Sequence, residues 1–245
     1  MGQIKTLLHL HTDYSRDART PPEAVARFVE REGFGCVAVT DHDTIRGALH
    51  LRSITYVPVI VGSEISTRDG DLIGLFLDRD VPAGMSARET ALAIRRQGGL
   101  VLVPHPFIRF LGCGLGNAIW DIIDMVDAIE VFNAQNVLSM PDRRAAEFAR
   151  RMSIPGFVGS DSHVETSIAP CYQVMPDFEC PAGFLRSLSA ASFHTARHPL
   201  SYFAGAAWRT VRQVVGAGFP RDYGAHHGAA KETVRVPAEV RAPGV

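Results

Sequence analysis

A chain of 245 residues, 46% hydrophobic and 21% charged, is long enough for one sizeable core, and α/β barrels of this length form a single domain. Its net charge of -1 supplies no global basic field for nucleic acid or an anionic membrane, and no stretch approaches the roughly 18 apolar residues of a membrane span. Four cysteines without CxxC spacing argue against a disulfide framework and a thiolate zinc site, and the apolar stretch before His9 is too short for a signal-peptide core, so a reducing cytoplasm is the expected location.

In chain order, the first element is an extended segment carrying His9-Leu10-His11. Alternate residues of a strand share a face, so both imidazoles would grip one ion while Leu8 and Leu10 face the other way. Thr20-Pro21-Pro22-Glu23 reads as a capping box with proline at the first helical position, opening a helix with Val25, Phe28 and Val29 on one face that stops near Gly33 and Gly35. A strand from Cys36 to Thr40 ends in Thr40-Asp41-His42-Asp43, one from Val57 to Val61 leads to Glu64, and a third covers Leu72 to Leu77. Ser86-Ala87-Arg88-Glu89 repeats the capping grammar and opens a helix that ends at Gly98-Gly99. The strand from Leu100 to Val103 runs into Pro104-His105-Pro106, and that from Ala128 to Phe132 ends at Asn133. A helix from Met140 to Met152 precedes the strand from Gly156 to Gly159, which is followed by Ser160-Asp161-Ser162-His163.

Each of these short, largely β-branched runs reads as a strand buried on both faces, as in parallel sheets. Strand, ligand, loop and helix form the repeating unit of a parallel barrel or wound sheet. Further helices are expected at about 181–190 and, from the spacing of Leu200, Phe203, Ala207, Val211, Val214 and Val215, at 200–216. The stretch 219–245 holds no Leu, Ile, Met or Trp and reads as a disordered tail.

Imidazole and carboxylate are borderline to hard ligands that suit Zn, Mn or Fe. His9, His11, Asp17, His42, Glu64, His105, Asp161 and His163 each follow or end an apolar run, which is how separate strands bring ligands to one end of a barrel. Two dyads with a His-containing turn after two further strands point to a hydrolytic metal centre.

The segments 8–17, 39–44, 103–106 and 159–163, with Gly62-Ser63-Glu64-Ile65-Ser66 between them, resemble the motifs of the polymerase and histidinol phosphatase (PHP) superfamily of metal-dependent phosphoesterases, in order, over roughly Leu8 to Val174. The resemblance implies an α/β fold, a distorted (βα)7 TIM-like barrel with a C-terminal helical extension. It implies two or three divalent ions at the strand ends. His9, His11, Glu64 and Asp161 would hold one, Asp17, His42 and His163 a second, and Glu64 would bridge to a third bound also by His105. Where that family usually carries another histidine, this chain has Asp71, a ligand type that can still serve. The organisation expected is a barrel over 1–180, C-terminal helices over 181–218 packing on it, and a tail over 219–245.

Clustered divalent ions generate hydroxide near neutral pH and polarise a phosphoryl oxygen, so the expected activity is phosphoric ester hydrolysis by a metal-activated hydroxide. Arg19 and Arg46 are candidates to meet the phosphate charge, with a surface ion pair as the alternative, and His42 or His163 to protonate the leaving oxygen. Arg109 and Asn133 are candidates to line the cleft, although Asn133 equally fits a strand-end turn. Asp13, Asp41 and Asp43 fit support of ligating imidazoles or turn formation better than direct ligation. His50, His194 and His198 read as surface or helix histidines, and His226 and His227 fall in the tail. The partners expected are a small phosphorylated substrate or nucleotide, with short nucleic acid also compatible, and no membrane; no oligomeric state follows from the sequence. A metal-dependent amidohydrolase and a non-catalytic metal-stabilised module are the alternatives, the first disfavoured because the chain's lysines, Lys5 and Lys231, lie at no strand end.

Overall fold

The computed structural model describes residues 2–108, 113–199 and 202. Among them, the strands in chain order are β1 (Gln3–Leu7), β2 (Cys36–Val39), β3 (Val59–Ser66), β4 (Asp71–Leu75), β5 (Leu100–Val103), β6 (Ala128–Asn133), β7 (Gly156–Gly159), β8 (Tyr172–Pro176) and β9 (Ser192–His194). The α-helices are α1 (Pro22–Arg31), α2 (Arg46–Ile54), α3 (Ala87–Arg95), α4 (Met140–Met152) and α5 (Pro181–Ser189). All nine strands join one nearly closed, barrel-shaped sheet in the order β7-β6-β5-β4-β3-β2-β1-β8-β9, a distorted TIM-like α/β barrel.

The six strands expected from the apolar runs are β2 to β7, and β1 ends at Leu7, just before the extended segment expected to carry His9 and His11. β8 and β9 are additions, paired antiparallel to β1 and to each other. Their signal was hidden because β8 buries a glutamine where an apolar residue would have marked a strand. The Gln173 amide donates to the Thr6 carbonyl at 3.1 Å and accepts from the Val158 N–H at 2.5 Å, so it stitches β8 to both β1 and β7. The sheet is also not parallel throughout, because β4 runs antiparallel to both β3 and β5. A four-residue connection at 67–70 joins β3 to β4, too short for a helical crossover.

Helix starts divide by mechanism. Ser86 caps α3 as expected, its hydroxyl accepting from the Glu89 N–H while the Glu89 carboxylate accepts from the Ser86 N–H. The Thr20 box does not form: Pro21 is the N-cap of α1 without a side-chain bond, and Thr20 is buried. Proline's preset φ starts that helix instead. Helix α2, unmarked by any capping signal, buries Ala48 and Leu51.

Strand residues alternate between two apolar clusters. Val37, Val39, Val101 and Val103 pack with Val25, Val29, Leu51 and Ile94 of the helices. Cys36, Ala38, Leu100 and Leu102 pack with Leu8, Phe157 and Met175, and Phe184 and Leu188 of α5 join this second cluster. The described residues belong to one compact unit that ends at Tyr202, and β9, beyond residue 180, is part of its sheet. The helix expected at 200–216 and the tail at 219–245 lie outside the described residues, Tyr202 excepted. Among those described, no helix is long and apolar enough to cross a membrane.

Candidate metal centre

Beyond their last ladder positions the strands continue as single backbone bonds that gather the motifs. Ser160 N–H donates to the Leu8 carbonyl at 3.1 Å, Asp161 N–H to that of His9 at 2.6 Å, and His11 N–H to that of Ser162 at 3.1 Å. Thr40 N–H reaches the Leu10 carbonyl at 2.9 Å, and Glu64 N–H that of Thr40 at 3.2 Å. One residue of each dyad departs from the extended backbone, contrary to the strand alternation expected at His9-Leu10-His11. His9 (φ 58°), Asp43 (φ 60°), His105 (φ 27°) and Asp161 (φ 49°) all have positive φ. Such conformations cost of order 1–3 kcal/mol each in non-glycine residues and persist where surrounding contacts over-determine them. Here the backbone bonds beyond the strand ends supply those contacts.

Three groups of ligand atoms result, each within 4.8 Å of one another. In the first, Nε2 of His9 lies 3.2 Å from Glu64 Oε2 and 3.4 Å from Asp161 Oδ1, and Nε2 of His11 lies 3.2 and 3.3 Å from the same two oxygens. The second joins His11, His42 and His163, and Asp17 Oδ2 sits 3.4 Å from Nε2 of both His42 and His163. The third joins Glu64, Asp71 and His105. Glu64 faces all of them, with Oε1 3.0 Å from His105 Nε2 and Oε2 3.6 Å from His42 Nδ1. Eight of the nine proposed ligands have side chains largely or wholly withdrawn from solvent; Asp17, 47% exposed, marks the open side.

The electrostatics of this cluster suit cations. Burial disfavours a charged His9, yet Asp161, Glu130 and Glu64 outweigh it and hold its pKa well above the ordinary histidine value. Burial likewise opposes charge on His105, His11, His42 and His163; Cys113 and then Glu64 still raise His105, and neighbouring carboxylates raise the other three. Burial would raise Glu64 and Asp161, but the surrounding imidazoles hold both well below the usual carboxylate range. Asp71 behaves differently: burial, and then the charge of Glu64, push its carboxyl up to about 7. Nε2 of His11 and Nδ1 of His42 are buried without a hydrogen bond while carboxylate oxygens stand close by. A divalent ion between these atoms satisfies both kinds of donor at once, so the residues fit the implied metals.

A supporting layer, largely invisible in the sequence, orients these groups. Nδ1 of His9 is 2.8 Å from Glu130 Oε1, the carboxylate partner that a ligating imidazole commonly has on its other nitrogen. Glu130 Oε2 accepts from the His105 N–H at 2.7 Å and from Asn133 Nδ2 at 2.9 Å. Asn133 Nδ2 also donates to Asp161 Oδ2 at 2.9 Å, so this buried residue braces ligands and does not line a cleft. Asp41 supports the opposite side, accepting from Thr12 N–H at 2.6 Å and Ser15 Oγ at 3.1 Å, while Ser15 Oγ lies 3.1 Å from His11 Nδ1. Asp43 ties the turn after β2 to the end of β3, its carboxylate accepting from Ser66 N–H at 2.8 Å.

His198, expected at the surface, is buried: Nε2 reaches the Ser160 carbonyl at 2.9 Å and its ring stacks on Tyr202 at 3.9 Å. Tyr202 accepts from the His163 N–H at 3.1 Å. These contacts link sequence-distant parts of the chain, which local pattern cannot show. His194 lies on β9, stacked on Tyr172, and His50 contacts Tyr14 and Glu23 at the surface. Asp13 is exposed near the first motif. Arg19 is exposed, its N–H donating to the His163 carbonyl at 3.0 Å, and Arg46 is exposed with its guanidinium 5.4 Å from the centre of the Tyr14 ring. Neither forms an ion pair among the described residues. Arg109, His226 and His227 lie outside them.

Residues 140–193 match the PHP-associated family model. An uncharacterized protein of Methanocaldococcus jannaschii is 39% identical over 144 residues, covering 54% of this chain and 82% of that protein. Among solved structures, a two-domain protein from Bacteroides vulgatus containing a predicted PHP-like metal-dependent phosphoesterase superposes with a TM-score of 0.64 at 17% identity, over 79% of this chain and 65% of that one. A lesion-specific endonuclease from Pyrococcus furiosus superposes with a TM-score of 0.58 at 14% identity, over 77% of this chain and 56% of that one. This chain thus spans about two thirds or less of those two structures, and the likeness shows the fold. The segment 140–193 is thus PHP-associated, and the barrel has the fold of the PHP-like metal-dependent phosphoesterase structures.

Proposed function

We propose that this chain is a metal-dependent phosphoesterase that hydrolyses a phosphomonoester or nucleotide-type substrate. The observation that carries this is Glu64: one buried carboxylate faces His9 and His11 with Oε2 and His105 with Oε1, the arrangement a bridge between ions requires. His9, His11, Glu64 and Asp161 would hold one divalent ion, Asp17, His42 and His163 a second, and Glu64, Asp71 and His105 a third, with Zn, Mn or Fe all compatible with the donor types. When bound, such ions lower the pKa of water and polarise a phosphoryl oxygen.

The chain's own residues do the rest. The ligands other than Asp17 are largely withdrawn from solvent, and Asp17, 47% exposed, marks one open side of the centre. Arg19 and Arg46, exposed and without carboxylate partners among the described residues, attract and orient the phosphate. His42 and His163 both turn Nε2 toward Asp17, and either would return a proton to the leaving oxygen only where that nitrogen is not given to the second ion. Metal analysis of the purified protein and a phosphate-release screen test the proposal together. His9→Ala and Asp161→Ala should each abolish release, and retained activity in either would refute the site. An amidohydrolase centre using a strand-end lysine has no support here, because Lys5 is bonded to the Glu32 carbonyl beside Phe34 and Tyr172.

A further inference from the structure

Two residues beyond His105, Phe107 forms one wall of a cleft of about 240 Å³ that contains none of the ligand residues. Its walls are Phe107, Trp120, Phe148, Arg144, Arg151 and Glu147. Phe107 and Trp120 both meet Phe148 edge to face, at 5.6 and 5.3 Å, which holds the three rings in fixed orientations. Trp120 is nonetheless 55% exposed, a large apolar face turned to solvent. The Arg144 guanidinium lies 4.4 Å from the centre of the Phe107 ring and has no carboxylate partner among the described residues, whereas Glu147 pairs with Arg150 and Arg151.

The cleft is tied to the metal centre through the backbone. Phe107 follows His105 by two residues, at most about 7 Å along the chain. Gly116 N–H donates to the Pro106 carbonyl at 2.9 Å, and Asp71 N–H to that of Cys113 at 2.7 Å, so the far wall is anchored to the third ligand group as well. An exposed indole, ordered aromatic edges and an unpaired guanidinium are the groups on which nucleobases stack and to which their phosphates pair.

We infer that this cleft is a base-stacking subsite, and that the phosphoesterase substrate is a nucleoside phosphate whose base lies against Trp120 while its phosphate reaches the His105 side of the centre. This rests on the phosphoesterase reading for turnover but not for binding. The chemistry is shared by a free mononucleotide and by the terminal nucleotide of a single strand.

The test measures binding to the full chain by calorimetry, and phosphate release with Mn, for adenosine monophosphate, ribose 5-phosphate and a short 5′-phosphorylated oligonucleotide. Adenosine monophosphate should bind more tightly than ribose 5-phosphate. Trp120→Ala should weaken it about 5- to 150-fold and leave ribose 5-phosphate unchanged, while Trp120→Phe retains most of the affinity. Arg144→Ala should weaken nucleotide binding as well. Tighter binding of the oligonucleotide than of the mononucleotide identifies a strand end as the source, and the reverse order a free nucleotide. Equal binding of nucleotide and sugar phosphate, or equal losses for both in Trp120→Ala, overturns the subsite. Base-dependent binding without phosphate release from any compound would instead overturn the phosphoesterase reading and leave the subsite standing.

Discussion

Glu130 sits in the middle of a strand and looks, in sequence, like one polar residue in an apolar run. Its two oxygens hold the His9 ring, the His105 backbone and Asn133, so it orients two candidate ligands directly, those that follow β1 and β5. Glu130→Gln should lower metal affinity about 10- to 100-fold with the fold unchanged, measured by calorimetry on metal-stripped protein. Wild-type affinity in that variant would remove Glu130 from the centre. Asp71 makes a second residue-scale prediction. A carboxyl at about 7 carries a proton below that pH, and a cation must displace it. Occupancy of the third position should therefore fall as pH drops from 8 to 6, and Asp71→His should retain more metal at pH 7; equal metal content at both pH values would count against Asp71 as a ligand.

Elements contribute through close approach. At the end of β7, Gly159 lets the Glu130 carboxylate pass where a Cβ would overlap it. Gly159→Ala should destabilise the protein by about 1–3 kcal/mol and weaken metal binding in parallel, read from melting curves with and without metal. The segment after β9 acts on the same strands. Arg197 donates to Asp142 on α4 at 2.6 Å, Asp142 accepts from the Asn133 N–H at 3.3 Å, and Asn133 bonds Asp161. Arg197→Ala should speed amide exchange at 160–163 more than in β2 or β3, and uniform acceleration would mean general destabilisation instead. The expected strands and the start of α3 were legible because apolar runs and a Ser-x-x-Glu box act locally. The cap of α1, the antiparallel β4 and the buried Gln173 were not, because each depends on what packs against it.

For the whole molecule, the centre couples stability to pH and metal. Without metal, the raised histidines stabilise the fold below their ordinary pKa of 6.5 and lose that contribution as pH climbs through their higher folded values. The lowered Glu64 and Asp161 contribute above their ordinary 4.5 and 3.8 and lose it as pH falls through their folded values. Metal-free protein should gain most from this cluster at about pH 5 to 6. Metal binds the neutral imidazoles, so the rise in Tm on adding Zn or Mn should grow from pH 6 to 8. At 100 times Kd the gain is about 2.7 kcal/mol, or roughly 5–10 °C for a unit of this size. A rise that shrinks with pH would contradict metal binding to these histidines.

The sequence by itself determined the residue types at the strand ends, and with them the resemblance to the PHP motifs, because ligand identity and strand-to-turn spacing are local properties. Only the tertiary structure decided that His9, His105 and Asp161 turn inward through positive φ, that Glu64 faces three ligand groups, and that Glu130, Asn133 and His198 hold them in place. Those facts depend on backbone bonds and side-chain contacts between residues far apart in the chain, which exist only once the barrel has closed.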